Sequence, residues 1–296
     1  MAQAHPLRGL TAALLVAAAA GCAAPGPVHY SSRSDEREFY EGFARDGKTF
    51  PSAMDEIHGG IVSHHLFAGG HISAFFATIR KAPAGEAPRT FIILGPDHRR
   101  QCAAITAATR RPWKTPFGTC PPDLALADRL CAAGAAAIDE DAFIGEHSVG
   151  AVIPFIAHYF PRSKVAPLLL SYRMSWEEAR RLGLALAAEA GAGAILILSS
   201  DFVHDRSSAE ARRLDKRTRE ILVKFRDEVS AETVRYAEMD CRKGLMALMA
   251  YVKARKSGSM EILHNTDSAR MAGRNVPTTS YFFVLYGNKK VNTQAP

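Results

Sequence analysis

Short apolar runs of strand length alternate with longer segments of helical periodicity through most of this chain. The strand-like runs fall at 61–63, 90–94, 165–171, 194–199, 260–264 and 278–286. Segments with apolar residues at helical spacing fall at about 36–46, 71–82, 122–134, 147–159, 175–190, 207–226, 231–238 and 243–255. Ser175-Trp176-Glu177-Glu178 opens one of them with a capping-box pattern, in which side chains satisfy the free backbone donors of the first turn. Apolar strands alternating with helices predict an α/β fold, with a mainly parallel or mixed sheet flanked by helices. The 296-residue chain suits one large domain with a sizeable core. No internal repeat or low-complexity linker divides it after about residue 35.

The first residues carry a different signal. Arg8 is followed by an apolar run from Leu10 to Ala20, too short to cross a bilayer as a helix and suited to a signal peptide. The run ends in Ala19-Ala20-Gly21-Cys22, which resembles a bacterial lipobox with Cys22 as the lipidated residue. The expected organisation is a signal peptide over 1–21, a flexible tether over 22–35 and the α/β domain over 36–296. The expected setting is the periplasmic or cell-envelope side of a bacterial membrane, with the lipid as anchor.

Charge adds little. Loss of 1–21 removes Arg8 and takes the formal charge from +7 to +6. The densest basic stretch, Arg212 to Arg219, contains Leu214 and Thr218 of an apolar stripe at helical spacing, so its charges read as a solvated helix face. No zinc-finger spacing or aromatic-interleaved basic motif is present, and nucleic acid is not an expected partner. Cys102, Cys120, Cys131 and Cys241 form no C-x-x-C pair. In an exported protein two of the first three can pair, without the sequence saying which.

Residues able to bind a metal or move protons stand where strands should end. His64 follows Ile61-Val62-Ser63, and His98 closes Ile93-Leu94-Gly95-Pro96-Asp97-His98. Asp201 and His204 follow Ala194 to Ser200, and Cys241 lies in Met239-Asp240-Cys241-Arg242. Open α/β sheets bind ligands outside the carboxyl ends of their strands, so these groups are placed to share one crevice. Singly, each has a plainer explanation: histidines in the core or at helix ends, a buried cysteine, aspartates capping helices. Jointly they favour a site. Asp201 and His204 lie three residues apart; His204 suits a general acid/base, and Asp201 can orient it or bind an incoming donor. His147 follows Glu146 at a predicted helix start, where it can donate a proton or hold an anion.

Several stretches resemble the Memo family, also called AmmeMemoRadiSam system protein B. Ile93 to His98 resembles its "ILGP(S/N)H" segment, and Trp113-Lys114-Thr115-Pro116-Phe117-Gly118 its "WxTPLG". Glu146-His147-Ser148 with Ile153-Pro154-Phe155 resembles "EHSxExxLPF", and Ser199 to His204 resembles "SSDFxH". Ser63-His64 falls where the family has "PH", and Cys241-Arg242-Lys243-Gly244 where it has a cysteine before a helix. The ordered set covers about residues 55–290. There are departures: the early "WYP" element is missing, "PHAGY" has become Ser63-His64-His65-Leu66-Phe67, and Gly150 and Val152 replace polar residues.

The resemblance implies a fold similar to class III extradiol ring-cleaving dioxygenases, which use a non-haem metal. It implies His64, His98 and Cys241 as metal ligands, beside which His204, Asp201 and His147, read from their own chemistry and placement, are the candidate catalytic groups. Fe(II) is the favoured metal, and a thiolate ligand also admits Cu(I) or Zn(II). Two functions follow: a metal-dependent oxidoreductase, or a metal- or small-ligand-binding protein using the same pocket without turnover. A zinc-dependent hydrolase has less support. Neither the substrate nor a protein partner is legible.

Overall fold

The computed structural model describes residues 26–289, apart from 34, 46, 84, 86, 88, 225–229 and 275. The chain runs through β1 (His29–Tyr30), α1 (Arg37–Ala44), β2 (Met54–Val62), α2 (Gly69–Lys81), β3 (Thr90–Pro96), β4 (Thr106–Ala108), β5 (Trp113–Thr115) and β6 (Gly118–Cys120). It continues through α3 (Leu124–Ala132), β7 (Ala137–Ile138), α4 (His147–Gly150), α5 (Ile153–Tyr159), β8 (Lys164–Leu170), α6 (Trp176–Glu189) and β9 (Ile195–Ser199). The last elements are α7 (Ser208–Leu222), α8 (Ala231–Val234), α9 (Arg242–Ala254), β10 (Ser259–Asp267), α10 (Ser268–Ala272) and β11 (Ser280–Lys289).

Eight strands form one mixed sheet in the order β10-β11-β2-β9-β3-β8-β4-β7. The central four are parallel, pairing β2 with β9, β9 with β3 and β3 with β8. Their carboxyl ends therefore share one edge. β10 and β11 pair antiparallel on one flank, and β4 runs antiparallel to β8 on the other.

The central strands are apolar at consecutive positions because both faces are buried. Phe91, Ile93, Ile195, Ile197 and Leu169 join the core made with Phe75 and Phe76 of α2 and Phe155 of α5. Their alternates Ile92, Leu94, Leu196, Leu198 and Leu168 join the opposite core with Leu126 of α3, Leu182 of α6 and Leu248 of α9. Gly183 permits the close approach of α6 to α9, since a Cβ there would lie 2.1 Å from the Ala247 carbonyl oxygen. Ser175 caps α6 with the expected capping box.

Four differences from the sequence pattern have physical causes. The run expected at 61–63 is the end of a nine-residue strand, whose earlier part contains Asp55, Glu56, His58, Gly59 and Gly60 and lacks a continuous apolar signature. The helix expected over 147–159 is two helices, α4 and α5, with Pro154 in the first turn of the second, where its missing N–H costs no hydrogen bond. β1 pairs in parallel with β5 and His29 is buried, so packed structure begins ahead of the boundary expected at residue 36 and includes part of the expected tether. Cys102, Cys120 and Cys131 are free thiols, so no disulfide forms among them.

The expected signal peptide and Cys22 lie outside the described residues. Among those described, no helix is long and apolar enough to cross a membrane.

Candidate metal centre

Three neighbouring strands deliver the site. β2 runs into Ser63-His64, β3 into Asp97-His98 and β9 into Ser200-Asp201, all at the shared carboxyl edge. A fourth segment, Met239 to Cys241, reaches the same edge just before α9, where the Asp240 amide donates to the Asp201 carbonyl at 3.1 Å.

His64 is buried, and its Nδ1 faces Ser199 Oγ at 3.2 Å. The Ser199 hydroxyl donates its hydrogen to the Ser148 carbonyl. Ser199 Oγ is therefore left to accept from His64, which places a proton on Nδ1. His98 is fixed in the same sense, because its Nδ1 faces the acceptor Glu146 Oε1 at 3.0 Å. Both rings thus direct Nε2 inward. Asp240 Oδ2 lies 3.3 Å from His64 Nε2 and 3.5 Å from His98 Nε2, and Asp201 Oδ2 lies 3.7 Å from His64 Nε2.

His147 stands over this centre at the start of α4. Its ring stacks on His98 with centroids 4.5 Å apart and meets His64 edge-on at 5.2 Å. Donor atoms of His64, His98 and His147 lie within 4.8 Å of one another, as do those of His64, Asp201 and Asp240. Gly95 makes the placement of α4 possible: a Cβ there would lie 2.5 Å from Ser148 Oγ, which instead donates to the Pro96 carbonyl at 2.9 Å.

Hydrogen bonds also fix the carboxylates. Asp201 Oδ1 accepts from Ser63 Oγ at 2.5 Å, and Asp240 Oδ1 accepts from Ser200 Oγ at 2.6 Å. Buried Glu146 accepts from the backbone amides of His98 at 2.9 Å and Ser148 at 2.8 Å. Burial alone would raise the Glu146 pKa, but the bonds from His98 and Ser148 outweigh it and hold the carboxyl down at about 2. Burial opposes charging of His98, yet Asp240 and Glu146 bring it up to about 10. His64 is likewise raised, its burial overcome by Asp201 and Asp240. His147 is lowered, first by burial and then by the neighbouring imidazoles.

The residue set suits a metal. Donors bound to one transition ion at about 2.0–2.2 Å lie roughly 3–3.5 Å apart, the range in which Asp240 meets both imidazoles. The outward nitrogens of His64 and His98 are held by a hydroxyl and a carboxylate, the support that metal-ligating histidines use to fix tautomer and orientation.

Of the residues singled out in the sequence, His64, His98, His147 and Asp201 converge. Cys241 belongs to neither donor cluster. It is buried at the start of α9, and a Cβ at Gly244 would lie 2.7 Å from its sulfur. Burial, then the Asp240 charge, pushes its thiol well above the ordinary range. His204 is exposed in a separate cleft of about 320 Å³ that it shares with Arg206, Glu210 and Asp240. Asp240 and Glu146 were given no role by sequence reasoning. Each precedes a singled-out residue, Cys241 and His147, and that adjacency was the available signal.

Residues 29–284 match the family of Memo-like proteins. A "MEMO1 family protein" of Methanosarcina acetivorans is 29% identical over 175 residues, covering 57% of this chain and 62% of that protein. Another from Pyrobaculum arsenaticum is 26% identical over 245 residues, covering 80% of this chain and 85% of its own length. The chain thus spans less than two thirds of the first relative and most of the second. Among solved structures, uncharacterized protein JW3007 from Escherichia coli K12 superposes with a TM-score of 0.51 at 14% identity, over 76% of this chain and 99% of that one. That likeness is one of fold.

Proposed function

This chain belongs to the Memo family, and from that premise we propose that it is a metal-dependent oxidoreductase of the extradiol-dioxygenase type. The observation that carries the reading is the shared orientation of His64 and His98, whose Nδ1 atoms turn to Ser199 and Glu146 and whose Nε2 atoms face one carboxylate oxygen of Asp240. Two histidines and a carboxylate are the ligand set of non-haem Fe(II) oxygenases, so the proposed ligands are His64, His98 and Asp240, with Fe(II) the favoured ion. Cys241, the third ligand implied by family resemblance, is the competing assignment. When bound, the metal would supply a Lewis-acidic centre for substrate oxygens and dioxygen.

The chain's own residues supply the rest. Ser199 and Glu146 orient the two imidazoles, and Asp201 keeps a second carboxylate beside His64. His147 is half-exposed above the centre with a lowered pKa, so its neutral ring can accept a proton from an incoming hydroxyl. Oxygen uptake by the iron-loaded protein with a panel of dihydroxy aromatics tests the reading; turnover abolished by His64→Ala is expected, and no uptake across the panel counts against it.

A second reading, a binding protein without turnover, has one specific support. Asp201, Asp240 and Glu146 already neutralise His64 and His98, a network that is satisfied by protons alone. The proposal also retains lipid attachment at Cys22, carried by the Arg8, Leu10–Ala20 and Cys22 pattern. Cys22→Ser should move the protein from the membrane to the soluble fraction, and an unchanged distribution would remove the anchor.

A further inference from the structure

A second cleft, of about 420 Å³, opens beside His98 on the β8 side of the centre. Its lining includes His98, Arg100, Tyr172, Trp176, Asp240 and Lys243. Two cations here lack an acidic partner. Among the described residues, no carboxylate lies within 4.0 Å of the Arg100 guanidinium or the Lys243 ammonium, and Glu178 acts on Lys243 only from further away. Arg110, by contrast, is paired with Asp128.

Both cations rest on aromatic faces. The Arg100 guanidinium carbon lies 5.1 Å from the Tyr172 ring centroid, and Lys243 Nζ lies 4.4 Å from that of Trp176. Lys243 Nζ also donates to the Met174 carbonyl at 2.5 Å. Such contacts hold a charge in place while leaving donors for an anion. Arg100 has left-handed backbone (φ 54°), a conformation uncommon for a non-glycine residue. Tyr172 is 64% exposed, so much of its surface stays open beside the Arg100 contact.

We propose that this cleft binds an aromatic carboxylate, its ring against Tyr172 and Trp176, its carboxylate at Arg100 and Lys243, and its far edge directed to the His98–Asp240 centre. The chemistry at that far edge rests on the metal-dependent reading above; recognition of the carboxylate does not. It names the substrate class as a ring bearing an acidic group, in preference to a neutral diol.

The test is calorimetric titration of the full chain with benzoate, benzamide and acetate, with and without a chelator. Benzoate should bind at least about tenfold more tightly than either comparison ligand, as expected when charge and ring are both recognised. Arg100→Met and Lys243→Met, with melting curves as folding controls, should each reduce that preference towards parity. The preference should survive chelation, so its presence in metal-free protein would uphold the cleft even if the oxidoreductase reading fails. Equal binding of benzoate and benzamide, or benzoate binding unchanged in both variants, would overturn the proposal whatever metal the protein carries. Loss of benzoate binding on chelation would assign the carboxylate to the metal and overturn it as well.

Discussion

Glu146 holds His98 at two points, accepting its backbone N–H at 2.9 Å and its ring Nδ1 at 3.0 Å. One carboxylate therefore sets both the path of the chain after β3 and the tautomer of the ring. Replacement by glutamine, Glu146→Gln, keeps the volume but allows the amide to present a donor where His98 needs an acceptor. Metal affinity should fall about 10–100-fold with the circular dichroism spectrum unchanged, the usual effect of removing a histidine's orienting partner. Titration with Fe(II) or Zn(II) checks this, and unchanged affinity would remove Glu146 from the site's support.

Asp240 and Cys241 are adjacent in sequence but differently placed. Asp240 faces both imidazoles, whereas the Cys241 sulfur is buried toward Gly244. Asp240→Asn should weaken metal binding nearly as much as His64→Ala, while Cys241→Ser should leave most of it. Metal content of the three purified variants decides the matter. Loss in Cys241→Ser equal to that in His64→Ala would return the third position to the thiolate.

His147 is proposed to move protons rather than to ligate. His147→Ala should retain metal and lose about 10²–10⁴-fold in turnover, the ordinary contribution of a positioned acid/base. His204→Ala, which alters the separate cleft, should have the smaller effect. Single-turnover rates for both variants with a substrate found by oxygen uptake provide the comparison, and a larger loss in His204→Ala would reverse the assignment.

The central strands and flanking helices were legible because burial on both faces leaves uninterrupted apolar runs such as Phe91 to Leu94 and Ile195 to Leu198. β1, β4, β5, β6 and β7 were not: each is two or three residues long, too short to show a period. His64, His98, His147 and Asp201 were legible as ligand-type residues at strand or helix ends. Asp240 was not, because its contacts with His64 and His98 span more than a hundred residues and depend on where the chain returns before α9. Sequence spacing likewise placed His204 beside Asp201; His204 lies instead in the exposed cleft that Asp240 also lines, outside the cluster of imidazoles.

Glu261 fastens the entry to β2 onto the sheet's edge. It accepts from Ser52 Oγ at 2.6 Å and from the Ala53 amide, and pairs with Lys289 at 2.8 Å. Burial acts to raise its pKa, but Lys289 and these donors lower it overall. A depressed folded pKa contributes stability above the ordinary carboxylate value of 4.5, and that stability is lost as pH falls through the folded value. Glu261→Gln should cost about 1–2 kcal/mol at neutral pH, and the difference from wild type should shrink as pH drops below 4.5. Urea melts at several pH values measure it; a difference independent of pH would assign the effect to packing.

Metal analysis of protein purified without added metal, beside His64→Ala and His98→Ala, tests the site most directly. About one transition-metal ion per chain, mainly iron, is expected in the wild type, with a loss of most of it in each variant. A wild-type protein that neither carries a metal nor takes one up on titration, or variants that retain it fully, would contradict a metal centre at His64 and His98.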